Sequence, residues 1–320
     1  MIDQSTMTKS RMKRTKKLSM AALLLGVQTS LYAAGFPAPE IERINERVVV
    51  LRGPIQHANS ANQGFMINST VLMGDKGVVL IDPGGTNEVG QFIRQQIGKI
   101  TRKRITHVIN THPHGDHYLG NVAFPESIVI SSEQCRALVD QTGDEWVRLM
   151  EQLVGRKFPD TVPISASVVY PALSKTTVTL NGLNVVLWVP LGSHTAGDLM
   201  IYLPDDRILV AGDILVNGVV PTMQDGVVKN WISVLAELEK VDANVYVPGH
   251  GALMQRDQVR ALRNSISRFY SGVRDGYLGG LSESEIRGTL DLSEWEKLER
   301  AYVIGRNINR AYLEIEQDLF

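Results

Sequence analysis

The chain has a single cysteine, Cys135, among 320 residues, so no intramolecular disulfide can form, which fits reducing and oxidising compartments alike. Net charge is small, formally −1, and nothing in it suggests the basic surface that nucleic-acid binding requires. Residues 18–31 are apolar but interrupted by Gly26, Gln28 and Thr29, and the run is too short for a comfortable membrane span. Linkers, repeats and low-complexity stretches do not divide the chain. Hydrophobic residues make up 43%, enough for a sizeable core in one large domain or two small ones.

The small net charge hides an asymmetry. Residues 1–34 hold six basic side chains, Lys9, Arg11, Lys13, Arg14, Lys16 and Lys17, and one acid, Asp3. The remainder has 27 basic and 33 acidic residues, a net of −6. A basic segment, an apolar segment and the small residues Ala33-Ala34-Gly35 have the order of a secretory signal peptide, so residues 1–34 are expected to be removed on export. The expected location is periplasmic or secreted, with no stable membrane insertion after cleavage. An uncleaved anchor or a disordered arm is the alternative.

Histidine is concentrated. Of seven in the chain, three fall with an aspartate in Thr111-His112-Pro113-His114-Gly115-Asp116-His117. Imidazole and carboxylate together suit zinc, iron or manganese. The preceding residues 105–110 read as a short buried strand. The cluster then lies on the loop at a strand's C-terminal end, where open α/β folds bind their ligands. Pro113 and Gly115 permit the tight turn that aims alternating side chains at one point. Three later residues follow strand-like runs beside a glycine: His194 after residues 185–189, Asp213 after 207–212, and His250 after 245–249. Singly each is an ordinary turn residue; with the first cluster they read as further ligands.

This set, in order and spacing, resembles the metallo-β-lactamase superfamily over roughly residues 45–255. The resemblance implies an α/β fold, a four-layer αβ/βα sandwich with metals at one edge. It implies a first metal held by His112, His114 and His194, a second by Asp116, His117 and His250, and Asp213 bridging them. Asp82 resembles the family's carboxylate behind the ligands, which sets an imidazole's tautomer. Two divalent ions, zinc foremost with iron or manganese as alternatives, would share a hydroxide nucleophile, oriented by Asp116 as the catalytic residue. The aspartate at 213 resembles glyoxalase II-type thioesterases and lactonases more than β-lactamases. Val216, where some β-lactamases carry a substrate-gripping lysine, points the same way. The expected activity is hydrolysis of an ester, lactone, thioester or amide in a small molecule. The alternatives are a β-lactamase and, less favoured, a diiron redox protein on the same fold.

Residues 35–255 are expected to form the catalytic domain and residues 256–320 a helical extension of it, packed on it by default, with covering the site or forming a dimer face as the alternatives. Strands are expected at 48–52, 64–73 and 78–81. Helices are expected at 86–100, after Ser131 or Ser132, at 146–157, at 231–241 capped by Asn230, and at 258–272, 284–290, 294–302 and 307–319 in the tail. His57 and Lys229 are expected to face solvent, Cys135 to be packed, His107 to be a core or edge residue, and Tyr118 to pack or line the mouth.

Overall fold

The computed structural model describes residues 35–319; the expected export signal, residues 1–34, lies outside the described residues. Strands β1 (Glu40–Arg43), β2 (Val48–Arg52), β3 (Asn68–Met73) and β4 (Val78–Ile81) form an antiparallel meander. Strands β5 (Ile105–Ile109), β6 (Ile128–Ser132) and β7 (Val168–Tyr170) extend it in parallel to seven strands. A second, five-stranded sheet has the order β12-β11-β10-β9-β8, from β8 (Ser174–Leu180), β9 (Leu183–Val189), β10 (Met200–Leu203), β11 (Ile208–Val216) and β12 (Val245–His250).

The period-two alternation of a strand explains the layering. In β2, Val48 and Val50 point between the sheets, where they meet Val185, Leu187, Ile201 and Val210. Val49 and Leu51 point the other way, towards Val89, Phe92 and Ile93 of helix α1 (Asn87–Ile100). In β11, Ile208 and Val210 face the first sheet. Leu209 and Ala211 face Trp231 and Leu235 of α4 (Val228–Leu238) and Ile266 of α5 (Arg256–Leu278). Both faces of both central strands are thus buried, about 1.5–3 kcal/mol for each fully covered Val, Leu or Ile. The result is the expected helix–sheet–sheet–helix sandwich. Among the described residues, no helix is long and apolar enough to cross a membrane.

Several expected elements differ. Residues 64–67 are not strand, and β3 begins at Asn68. The helices expected near Ser132 and at 146–157 are one, α3 (Glu133–Val154), whose N-cap Ser132 accepts from the Cys135 N–H at 3.0 Å. Gly155, at φ 81°, ends it, because glycine enters the left-handed region without a Cβ clash. Cys135 is buried as expected.

Helix α4 begins before Asn230. Its free N–H groups at Val228 and Lys229 donate to the Glu314 carboxylate at 2.8 and 2.9 Å. Glu314 belongs to α7 (Ile304–Leu319), so the tail supplies a negative cap to a helix of the body. In the tail α5 is longer than expected, α6 is Glu283–Thr289, and the segment expected at 294–302 holds only two 3₁₀ turns.

Candidate metal centre

The first ligand loop leaves the end of β5 and runs into a one-turn helix, α2 (Gly115–Tyr118). It is fixed by Asp82, which follows β4 and is almost fully buried. Asp82 accepts from the Thr111 N–H (2.8 Å), the Thr111 hydroxyl (2.7 Å) and His117 Nδ1 (2.8 Å). It does so at φ 56°, a left-handed conformation that Asp tolerates at some energetic cost. The Thr111 oxygen in turn accepts from His112 Nδ1 at 2.9 Å. One carboxylate therefore orients an imidazole in each half of the site.

The other imidazoles are anchored in the same manner. His194 Nδ1 donates to the Thr222 carbonyl (3.0 Å) and His250 Nδ1 to that of Met66 (2.8 Å). His114 is reversed: its Nε2 donates to Asp225 at 3.0 Å, leaving Nδ1 inward. The His194 loop is held by Asp198, which accepts from both the N–H and hydroxyl of Ser193 and of Thr195. Each ring thus anchors one nitrogen outward and turns the other, the one a metal can take, to the centre.

Those inward atoms form two groups, His112, His114, His194 and Asp213, then Asp116, His117 and His250; within each, the ligand atoms lie within 4.8 Å of one another. Asp213 touches both: its carboxylate lies 3.3 Å from His117 Nε2, 3.3 Å from His250 Nε2 and 3.9 Å from His194 Nε2. Within the first group, lone pair faces lone pair at His194 Nε2 and His114 Nδ1 (3.1 Å), and within the second, His117 Nε2 and His250 Nε2 stand 3.4 Å apart. His112 Nε2 and Asp213 Oδ1 are buried without a hydrogen-bond partner. Buried acceptors packed in this way require cations, and the donor set fits two divalent ions.

The glycines beside the ligands have a steric reason. A Cβ on Gly249 would lie 1.9 Å from Asp213 Oδ1. A Cβ on Gly212, at φ 52°, would lie 2.4 Å from Thr111 Oγ1. Asp213 lies within β11 itself, at a register break against β12, rather than beyond the strand end.

Burial disfavours charge throughout the site. Burial and His114 lower His194 to about 4, and burial with His117 holds His112 well below the usual imidazole range. Burial opposes charge on His117 too, but Asp116, Asp213 and Asp82 raise it well above that range. Burial would raise both carboxyls, yet His117 and His250 hold Asp116 and Asp213 well below the usual carboxylate values.

The seven residues expected to act together are therefore brought together. The surroundings differ from expectation. His57 lies against Tyr302 (ring centroids 5.9 Å) in the wall of a cavity of about 510 Å³ above Asp116 and Asp213, not out in solvent. The tail does more than pack, because Arg300, Tyr302 and Arg306 line the same cavity opposite Trp146, Leu149 and Met150. Lys229 does face outward, paired with Asp318. Tyr118 is fully buried and packs with Leu119 and Val139, and His107 is a half-buried strand residue bonded to Thr106. Asp225, Asp198 and Arg300 carry no motif that sequence reasoning had used, although Asp198 stands only four residues from His194.

A family model described as the metallo-beta-lactamase superfamily matches residues 62–250. A type 2 metallo-beta-lactamase of Bacillus sp. (strain 170) is 25% identical over 192 residues, 58% of this chain and 66% of its own length. A linear primary-alkylsulfatase of Pseudomonas sp. (strain ATCC 19151) is 24% identical over 218 residues, 57% of this chain and 40% of its own. The chain spans less than two thirds of the length of either. Two solved structures share the fold. A metallo-beta-lactamase from Pontibacter korlensis has a TM-score of 0.57 at 21% identity, over 72% of this chain and 99% of that one. A stereoselective inverting sec-alkylsulfatase from Pseudomonas sp. has 0.66 at 18%, over 86% and 50%. With more than half of its length matched by the family model, the chain belongs to the metallo-beta-lactamase superfamily.

Proposed function

We propose that the chain hydrolyses an ester, lactone, thioester or amide bond in a small molecule at a binuclear centre. The observation that supports this reading is the convergence of two ligand groups on the shared carboxylate of Asp213 beneath an open cavity. Zinc is the first choice of ion, with iron or manganese as alternatives, and a pair of such ions supplies an activated water and polarises the scissile oxygen.

The chain's own residues do the rest. Asp116 has one oxygen 3.3 Å from His250 Nε2, is less enclosed than the histidines, and opens to the cavity. Its ionised carboxylate is placed to orient the attacking water and take its proton. Trp146, Leu149 and Met150 hold an apolar portion of substrate and displace water around the reacting bond.

A second reading is sulfate-ester hydrolysis. It draws on the arginines in the cavity wall and on the broader fold match to the sec-alkylsulfatase than to the β-lactamase. The test is a panel with the metal-loaded chain: aryl esters, lactones, thioesters, a chromogenic cephalosporin and an alkyl sulfate, each with and without chelator. Turnover of the carbonyl substrates that chelator abolishes is expected, and Asp116→Ala and Asp213→Ala should abolish it too. Turnover confined to the sulfate selects the second reading, and confined to the cephalosporin, β-lactam hydrolysis. Export to the periplasm is proposed from residues 1–34, and the N-terminal sequence of protein recovered from cell fractions tests it.

A further inference from the structure

One wall of the cavity is cationic, above the carboxylates of Asp116 and Asp213. Arg300 sits at φ 64°, a left-handed backbone that arginine seldom adopts. Its guanidinium nitrogen lies 3.1 Å from His250 Nδ1 and 3.5 Å from Nε2. Neither can satisfy it: Nδ1 gives its hydrogen to Met66 and Nε2 belongs to the metal centre. Arg300 Nε is buried with no hydrogen-bond partner. Among the described residues, no acid forms an ion pair with Arg300 or with Arg306, which lines the same wall. Arg300 is half-buried, and its buried Nε without an acceptor carries a desolvation cost that an arriving anion would offset.

The segment that presents it is rigidly held. Glu299 N–H donates to the Gly218 carbonyl and the Glu299 carbonyl accepts from Val220 N–H, at 3.2 and 2.9 Å. Fully buried Asn307 bonds both the Met223 N–H and the Pro221 carbonyl. These anchors lie on the stretch that continues from Asp213 through β11, so Arg300 is fixed relative to the ligands.

We propose that the substrate is an amphiphilic anion. Its oxyanionic group, a carboxylate or sulfate within one or two bonds of the scissile linkage, pairs with Arg300. Arg306 adds attraction at the mouth, and the apolar portion lies along Trp146, Leu149, Met150 and Leu153. A planar guanidinium matches either oxyanion through two parallel hydrogen bonds. This inference rests on the hydrolase reading for the word substrate, while the anion site itself does not.

The test uses the zinc-loaded full chain, titrated calorimetrically with decanoate, octane-1-sulfonate and neutral octyl glucoside. Both anions should bind at least tenfold more tightly than the glucoside. Tighter decanoate selects the carboxylate and tighter sulfonate the sulfate. Arg300→Asn, which tolerates the left-handed backbone, should erase that preference by tenfold or more, and Arg300→Lys should restore part of it. In turnover, the ratio of kcat/KM for an anionic ester over its neutral isostere should fall tenfold in Arg300→Asn. Equal binding of glucoside and anions, or an unchanged preference in Arg300→Asn, overturns the proposal. Intact anion binding with no turnover of any panel substrate overturns the hydrolase reading and leaves the anion site standing.

Discussion

Replacing Asp82 by asparagine tests the logic of the whole centre. The variant keeps the size of the side chain and its tolerance of φ 56°, so backbone strain is unchanged. One carboxylate oxygen becomes an amide nitrogen that donates. If that nitrogen faces His117 Nδ1 and the Thr111 hydroxyl, Nδ1 must give up its hydrogen, which moves to Nε2, the atom beside Asp213 and Asp116. If the amide is reversed, it opposes the Thr111 N–H, donor against donor. Because Thr111 also receives His112 Nδ1, both ligand groups are disturbed. Loss of such an orienting partner costs 10–100-fold in metal affinity, about 1.4–2.7 kcal/mol. Zinc titration against a competing chromophoric chelator should show both steps weakened by that factor. Thermal melting of the metal-free protein should report a folded chain. Two ions bound with wild-type affinity would refute the claim that Asp82 sets the tautomers.

Three further outcomes are expected. Gly249→Ala places a methyl group 1.9 Å from the present position of Asp213 Oδ1, so the bridging carboxylate must move and activity should fall at least about a hundredfold; metal content and kcat near wild type would count against it. Metal loading at neutral pH should release the proton that His117 holds through Asp116, Asp213 and Asp82, while His112 and His194, already neutral, release none. Affinity should therefore rise with pH until His117 is neutral in the metal-free protein, and an unbuffered titration that shows no acidification contradicts this. Glu314→Ala removes two hydrogen bonds from the start of α4 and should cost about 1–3 kcal/mol, read as a shift in denaturant midpoint at unchanged slope.

Much of the sandwich was legible because strand alternation and turn residues are local. The positions Val48, Val50, Leu209 and Ala211 already carry the two faces of their sheets. The misread elements were those where a distant residue decides the boundary. Asn230 is a good cap by type, but the carboxylate that caps α4 comes from Glu314, 86 residues from Val228. The segments near Ser132 and at 146–157 read as separate helices in the sequence, with Gly143 between them, yet α3 is continuous as far as Gly155.

The site divides in the same way. The ligand types, their order and the glycines beside them are properties of short segments, because a loop of given sequence turns tightly or not largely by its own chemistry. The sequence alone therefore determined which seven side chains could meet a metal pair. Only the tertiary structure decided what stands over them. Asp225 reaches His114 across 111 residues and Arg300 reaches His250 across 50. Such pairings depend on how sheets and helices stack, and no local pattern in either segment encodes them.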